Sequence, residues 1–324
     1  VGDTVYVGGS FGTATSPDGS QTATRHNLAA FDLATGELRP DFVVDTDGLV
    51  RDLVVDGDRL FVAGDFSTIG GVARARLASV DLTTGSVEAW NPRVNASVYK
   101  IAVGGGKLVL GGNFNYVGGQ FHDHLAVVSV ATAAVDPGFV ADVDKGVTAV
   151  AISGDGSRIW VGGGYTTING QPAATLTALD DQGDVLPIGY YHATGAALDI
   201  KVVGDGTWLA VSGDSNYVGW WNAATGDRRW IQYCGGDGQA VGVLGSYTYG
   251  GFHDNCDDDT TIRLSKNTNV RGTRDTTFHP SWLASDFWGV RDISGDNTVM
   301  VVAGQMTWLS RVHVGGFAIF PAVA

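Results

Sequence analysis

The stretch "VDGDRLFVAGDF", Val55 to Phe66, decides the fold. It carries the end of one apolar run, "VRDLVV", through an Asp-Gly-Asp turn into a second, "RLFVAG". Gly and Asp accept the positive φ that a tight turn needs, so the phrase reads as a β-hairpin. It recurs as "VGDTVYVGGSF" (Val1 to Phe11), "VGGGKLVLGGNF" (Val103 to Phe114) and "SGDGSRIWVGGGY" (Ser153 to Tyr165). Weaker copies are "VGDGTWLAVSGDS" (Val203 to Ser215), "VLGSYTYGGF" (Val243 to Phe252) and "SGDNTVMVVAGQM" (Ser294 to Met306). The glycines that close them, Gly9, Gly64, Gly112, Gly163, Gly213, Gly251 and Gly304, are spaced by 38 to 55 residues. Each interval repeats four phrases: a first strand such as "VYKIAV", the hairpin partner, a third strand such as "LAAFD" or "LASVD", and a Thr-Gly turn into a fourth such as "GSVEAWNP".

Four antiparallel strands per unit, in seven copies, predict an all-β fold, a seven-bladed β-propeller, because such units bury both faces only when stacked around an axis. The expected blades lie near residues 1–48, 49–95, 96–145, 146–195, 196–237, 238–286 and 287–324 of one domain. The first blade would lack its first strand and the last its fourth, which a segment upstream of Val1 would supply. Gly at each second-strand end is expected to allow a bulge or a close backbone approach.

Composition agrees. The 324 residues include 48 Gly and 8 Pro, and the acidic residues are nearly all Asp, with only Glu37 and Glu88 otherwise. Scarcity of strong helix formers argues against a helical bundle. A net charge of −14 repels phosphate backbones and anionic lipid, which points away from nucleic acid. No apolar run is long enough for a bilayer-spanning helix, so membrane insertion is not expected.

The phrases "FVAGDFSTIGGVARARLASVDLTTGSVEAWNP" (Phe61 to Pro92) and "LVLGGNFNYVGGQFHDHLAVVSV" (Leu108 to Val130) resemble the delta-60 repeat, a bacterial β-propeller repeat class, with a cadence similar to kelch repeats. The resemblance is strongest in the first four units and weakest in the fifth and sixth. It implies a secreted or cell-surface propeller and brings no catalytic motif with it. Val1 in place of Met is compatible with a processed, exported chain.

Antiparallel order places the second-to-third and fourth-to-first connections on one face, and that face receives the long, chemically varied loops. The ligand-binding candidates there are the aromatic residues Tyr190, Tyr191, Trp282, Phe287 and Trp288, with His192, suited to stacking on a sugar ring, and Arg25, Arg74, Arg76 and His122 at the rim. The alternative for the aromatic set is packing between blades. His122 and His124 around Asp123 offer metal-capable groups, but no further ligands can be named. Asp254, Asp257, Asp258 and Asp259 could hold calcium, the one cofactor suggested, or form a solvated acidic loop. Cys234 and Cys256 enter and leave the sixth unit on the same face and are expected to form a disulfide. The sequon Asn95-Ala96-Ser97 lies in a loop.

No Gly-x-Ser-x-Gly elbow is present, and the lack of Glu leaves only Asp for an acid/base pair. Three function classes follow: a non-enzymatic module binding a glycan or surface polymer, which the loop chemistry favours; a hydrolase, lyase or oxidase using Asp, His and a metal; and an assembly propeller docking a protein partner.

Overall fold

The computed structural model describes residues 1–190, 195–253, 264–278, 280, 282–283, 289–296, 298–305, 308–309, 312–313 and 316–321. All regular structure among them is β, with antiparallel strand pairing and no helix. No helix among the described residues is long and apolar enough to cross a membrane.

The hairpin phrase forms the second strand of each unit: Thr4–Gly8, Arg59–Gly64, Lys107–Gly112, Arg158–Gly163, Trp208–Gly213, Tyr247–Phe252 and Val299–Gly304. In the five from Arg59–Gly64 to Tyr247–Phe252 the opening residue is half-buried and the following five are buried. Cover on both faces is why these strands read as continuous apolar runs rather than as alternating ones. Thr4–Gly8 pairs only with Leu28–Asp32 and is less buried along its length.

The close approach expected at the closing glycines is present at Gly64, Gly112, Gly213, Gly251 and Gly304, while Gly9 has nothing nearer than 3.5 Å to a Cβ. A Cβ on Gly64 would lie 2.1 Å from the Leu49 carbonyl oxygen, and one on Gly112 2.2 Å from that of Ser97. Opposite each, the first strand carries a bulge, at Val50/Asp52 and Val98/Lys100, and the same irregularity recurs at Ala197/Asp199, Gly238/Ala240 and Val290/Asp292. The bulge turns the Asp52 carboxylate so that it accepts the Ile101 N–H of the following unit at 2.8 Å, and Asp199 accepts the Val241 N–H at 3.0 Å in the same way.

The fourth strand departs from expectation. Among the described residues it is regular in two sheets, as Ser86–Val87 and as Arg228–Tyr233. Elsewhere it shrinks to single bridges, Phe31 with Leu38, Val128 with Val135, Leu179 with Val185 and Asn267 with Arg274. Proline supplies one reason: Pro40, Pro137 and Pro187 follow two residues after Leu38, Val135 and Val185, and a residue without an N–H cannot extend the ladder. Arg228–Tyr233 contains no proline and runs its full length. Where the strand stops, the chain turns Phe42 and Phe139 into the core.

The described residues fall into two compact units: Val1–Ile159 with Tyr165–Ala173 and Leu179–Val185, and Trp160–Gly164 with Ala174–Ala178 and Leu186–Ala324. Within the first, one core gathers Phe61, Trp90, Leu110 and Phe114, and another Leu28, Phe42, Leu60 and Phe66. Within the second, Trp220 and Trp230 pack with Phe252, and Tyr249 with Val290 and Met300.

Candidate functional site

The connections from second to third strand fold into small hairpins in the first unit, pairing Thr13–Thr15 with Thr22–Thr24, Thr68–Ile69 with Val72–Ala73, Tyr116–Val117 with Gln120–Phe121, and Thr167–Ile168 with Gln171–Pro172. Gly70-Gly71, Gly118-Gly119 and Asn169-Gly170 all have positive φ, the requirement of a two-residue turn matched to strand twist. Each of these last three hairpins is pinned by the preceding fourth-to-first connection. The Asp47 carboxylate accepts the N–H groups of Ser67 and Thr68, Asn95 those of Asn115 and Tyr116, and Asp144 those of Thr166 and Thr167, all at 2.7–3.1 Å. Val94 bridges Val117, and Thr46 and Val143 bridge Ile69 and Ile168. The loops therefore form a rigid surface.

The residues proposed for its rim have other duties. Arg25 is buried, and its guanidinium donates to the carbonyls of Thr24, Pro40 and Phe42. Arg74 donates to the carbonyls of Ala73 and Glu88, and Arg76 to those of Asp65 and Phe66. These arginines satisfy loop carbonyls, Arg25 from a buried position and Arg74 and Arg76 from half-buried ones. His122 is buried, and burial pushes its imidazole below the ordinary range despite the opposing charge of Asp142. His124 Nδ1 contacts the Val143 carbonyl at 2.8 Å. Tyr190 is buried too; its hydroxyl accepts the Trp160 indole N–H at 2.7 Å and donates to the Ala223 carbonyl at 3.1 Å. The alternative of core packing holds for Tyr190, and Trp90 and Trp230 are also buried. The Asn95 side chain of the sequon is engaged in pinning its hairpin.

Tyr191, His192, Phe287, Trp288, Cys256, Asp254, Asp257, Asp258 and Asp259 lie outside the described residues. Trp282 belongs to a short strand, Trp282–Leu283, whose side chains are likewise outside them. Cys234 is half-buried beside the Trp220–Trp230 cluster, and the described residues include no free cysteine. No group of metal-capable side chains occurs among the described residues.

Among the described residues one exposed aromatic pair was passed over by sequence reasoning. Tyr116 and Phe121 face each other across the third hairpin with ring centroids 5.8 Å apart, edge to face, and are 46% and 53% exposed. The same register holds Thr68 and Ala73 in the hairpin before and Thr167 and Pro172 in the one after. This departure from the repeat is the signal that could have found them.

In the second unit the corresponding connection between Trp208–Gly213 and Tyr217–Asn222 is only Asp214-Ser215-Asn216. At its foot Ser212 Oγ, Tyr217 Oη and Gln239 Oε1 are buried without hydrogen-bond partners. Burial, reinforced by the charge of Asp237, raises the Asp214 carboxyl above the usual range, and burial likewise raises the Tyr217 phenol. The Asp237 N–H meets His253 Nδ1 at 3.0 Å.

No protein-family model and no curated protein matches the chain. Solved structures do. One, a crystal structure of the mitotic checkpoint complex, superposes with a TM-score of 0.61 at 14% identity over 93% of this chain and 87% of that one. Another, a computationally designed protein, Ika8, gives 0.57 at 13% identity over 93% and 80%. At these identities the likeness is one of fold: an all-β, propeller-like repeat protein.

Proposed function

We propose that this chain is a seven-bladed propeller of four-strand units, exported to the cell surface or medium, and that it binds a glycan or another surface polymer on its loop face without catalysing a reaction. The observation that carries this reading is the exposed Tyr116–Phe121 pair on a hairpin whose neighbours carry small side chains at the same positions. Two aromatic rings on a pinned loop present flat apolar area to a sugar ring at little entropic cost, because the loop is already ordered. The delta-60 resemblance supports export and bacterial origin. Calcium bound by the Asp254–Asp259 segment and a Cys234–Cys256 bridge belong to the same proposal.

The test is a glycan array, repeated with Tyr116→Ala and Phe121→Ala. Each truncation should weaken binding by about tenfold or more while the far-ultraviolet spectrum stays unchanged. Binding that survives both substitutions would sink the reading.

One observation favours an enzyme instead: Asp214, with its raised pKa, stands beside unpartnered Tyr217 and near Asp237 and His253. A carboxyl held protonated longer than usual is suited to general acid work. Hydrolysis of an array ligand, abolished by Asp214→Asn, would establish that alternative. The protein-docking reading finds support in the neighbour that comes from a protein complex.

A further inference from the structure

The turn end of the sixth repeat, within the second compact unit, departs from its sisters in charge. Turns between third and fourth strands open on an acid at Asp32, Asp81 and Asp180, and carry Thr at Thr35, Thr84 and Thr225. In "TNVRG", Thr268 to Gly272, the acid has become Thr268 and the threonine has become Arg271. An open groove of about 460 Å³ lies here, lined by the side chains of this turn from Thr268 to Thr273 and by Ser246 and Tyr247.

A second cation borders it. Arg229 Nε donates to the Val270 carbonyl at 3.1 Å, and the guanidinium lies 4.7 Å from the Trp208 ring centre and 5.7 Å from that of Trp220. Its counterpart in the first repeat, Arg39, pairs with the turn acid Asp32 at 3.0 Å. The fifth repeat has Asn222 in place of that acid, so Arg229 keeps its charge unpaired. Ion pairs in this unit include those of Lys201, Lys266 and His253, and neither Arg229 nor Arg271 takes a carboxylate among them. Behind the groove the Lys266 ammonium sits 3.9 Å from the Tyr247 ring centre, balanced by Asp275 at 3.2 Å.

The turn is held in place. Asn269 donates from Nδ2 to the Gly245 carbonyl and receives the Thr248 hydroxyl on Oδ1, its own carbonyl accepts the Trp230 indole N–H, and Gln232 donates to the Gly272 carbonyl. A preorganised turn carrying Arg271, bordered by an Arg229 guanidinium that has no carboxylate partner among the described residues, meets an anion without first being ordered. The chain's net charge of −14 opposes this at a distance, yet screening confines that repulsion to about 8 Å at physiological salt, so the local cations dominate at contact.

We infer that this groove is a second ligand site, separate from the loop face, that takes the carboxylate of an acidic polysaccharide. A planar carboxylate matches the guanidinium fork, and the hydroxyls of Ser246, Thr268 and Thr273 suit the sugar hydroxyls on either side.

The experiment measures binding of polygalacturonate fragments, neutral dextran and inorganic phosphate to the full chain at low and at about 0.3 M salt. Polygalacturonate should bind, more tightly at low salt, and Arg271→Glu and Arg229→Gln should each weaken it by about tenfold or more. Tyr116→Ala and Phe121→Ala should leave that affinity unchanged, so this site and the loop face fail or succeed separately. Thermal unfolding of Arg271→Glu, an exposed position, confirms an intact fold. Absence of polygalacturonate binding, retention of affinity in both arginine variants, equal binding of dextran, or full competition by inorganic phosphate would each overturn the proposal.

Discussion

The Asp144 carboxylate accepts the Thr166 hydroxyl at 2.6 Å, closing the connection before one strand onto the hairpin that follows the next. Asp47 and Ser67 stand in the same relation, and Asn95 meets Asn115 in their place in the repeat between. In these three repeats one polar residue thus orders two loops, and the hairpins of the loop face are mounted on that contact.

This contact makes stability depend on acid. For Asp144 the Thr166 hydroxyl and the loop amides lower the pKa from the usual 3.8 to about 2. For Asp47 burial acts upward, but the Ser67 and Thr68 hydrogen bonds outweigh it and again bring the value to about 2. A folded-state pKa below the unfolded one contributes stability that is complete above about pH 4 and is lost as pH falls through about 2. Asp47→Asn combined with Asp144→Asn should make the fall of the melting temperature between those limits shallower, other lowered carboxylates such as Asp18 and Asp155 supplying the remainder, while keeping the loops ordered, since Asn95 already does so at neutral charge. A melting series against pH checks this.

Gly112→Ala should destabilise by roughly 3 kcal/mol, because the new Cβ would fall 2.2 Å from a backbone oxygen that the bulge holds in place. Urea unfolding would register it; a change under 1 kcal/mol, on the same scale, would contradict the packing at the strand end.

Arg25→Gln should cost about 2 kcal/mol and leave every ligand affinity unchanged, as the carbonyls of Pro40 and Phe42 lose a charged donor in a buried place. An affinity loss with unchanged stability would return Arg25 to the rim.

Tyr217→Phe removes a buried hydroxyl that has no partner and should therefore be neutral or stabilising by about 1 kcal/mol. Loss of a measured hydrolytic activity alongside that gain would shift the balance to the enzyme reading.

Thiol titration of the denatured, unreduced protein should find no reactive group. The proposed Cys234–Cys256 bridge would close a loop of about 20 residues and stabilise by roughly 3 kcal/mol in the chain-entropy picture, so reduction should then lower the melting temperature.

The strands, the hairpin turns and the repeat were legible in the residues because each depends on neighbours close in the chain. Alternation and Gly/Asp punctuation set a strand and its turn locally, and the bulge opposite Gly64 needs only the two strands of one hairpin. The truncated fourth strand was legible in part, through Pro40, Pro137 and Pro187, once their distance from the preceding bridge is known.

What the tertiary structure alone decided is which polar and aromatic side chains remain available. Arg25 reaches carbonyls 15 and 17 residues away, and nothing local distinguishes it from Arg271, whose guanidinium finds no acid. Tyr190 and Tyr116 are both loop tyrosines in sequence; one is 5% exposed with its hydroxyl spent on Trp160 and Ala223, the other 46% exposed beside Phe121. The physical reason is common to both: backbone pattern is fixed by short-range sterics and periodic burial, whereas the availability of a side chain depends on partners brought from distant segments, which the periodicity does not encode.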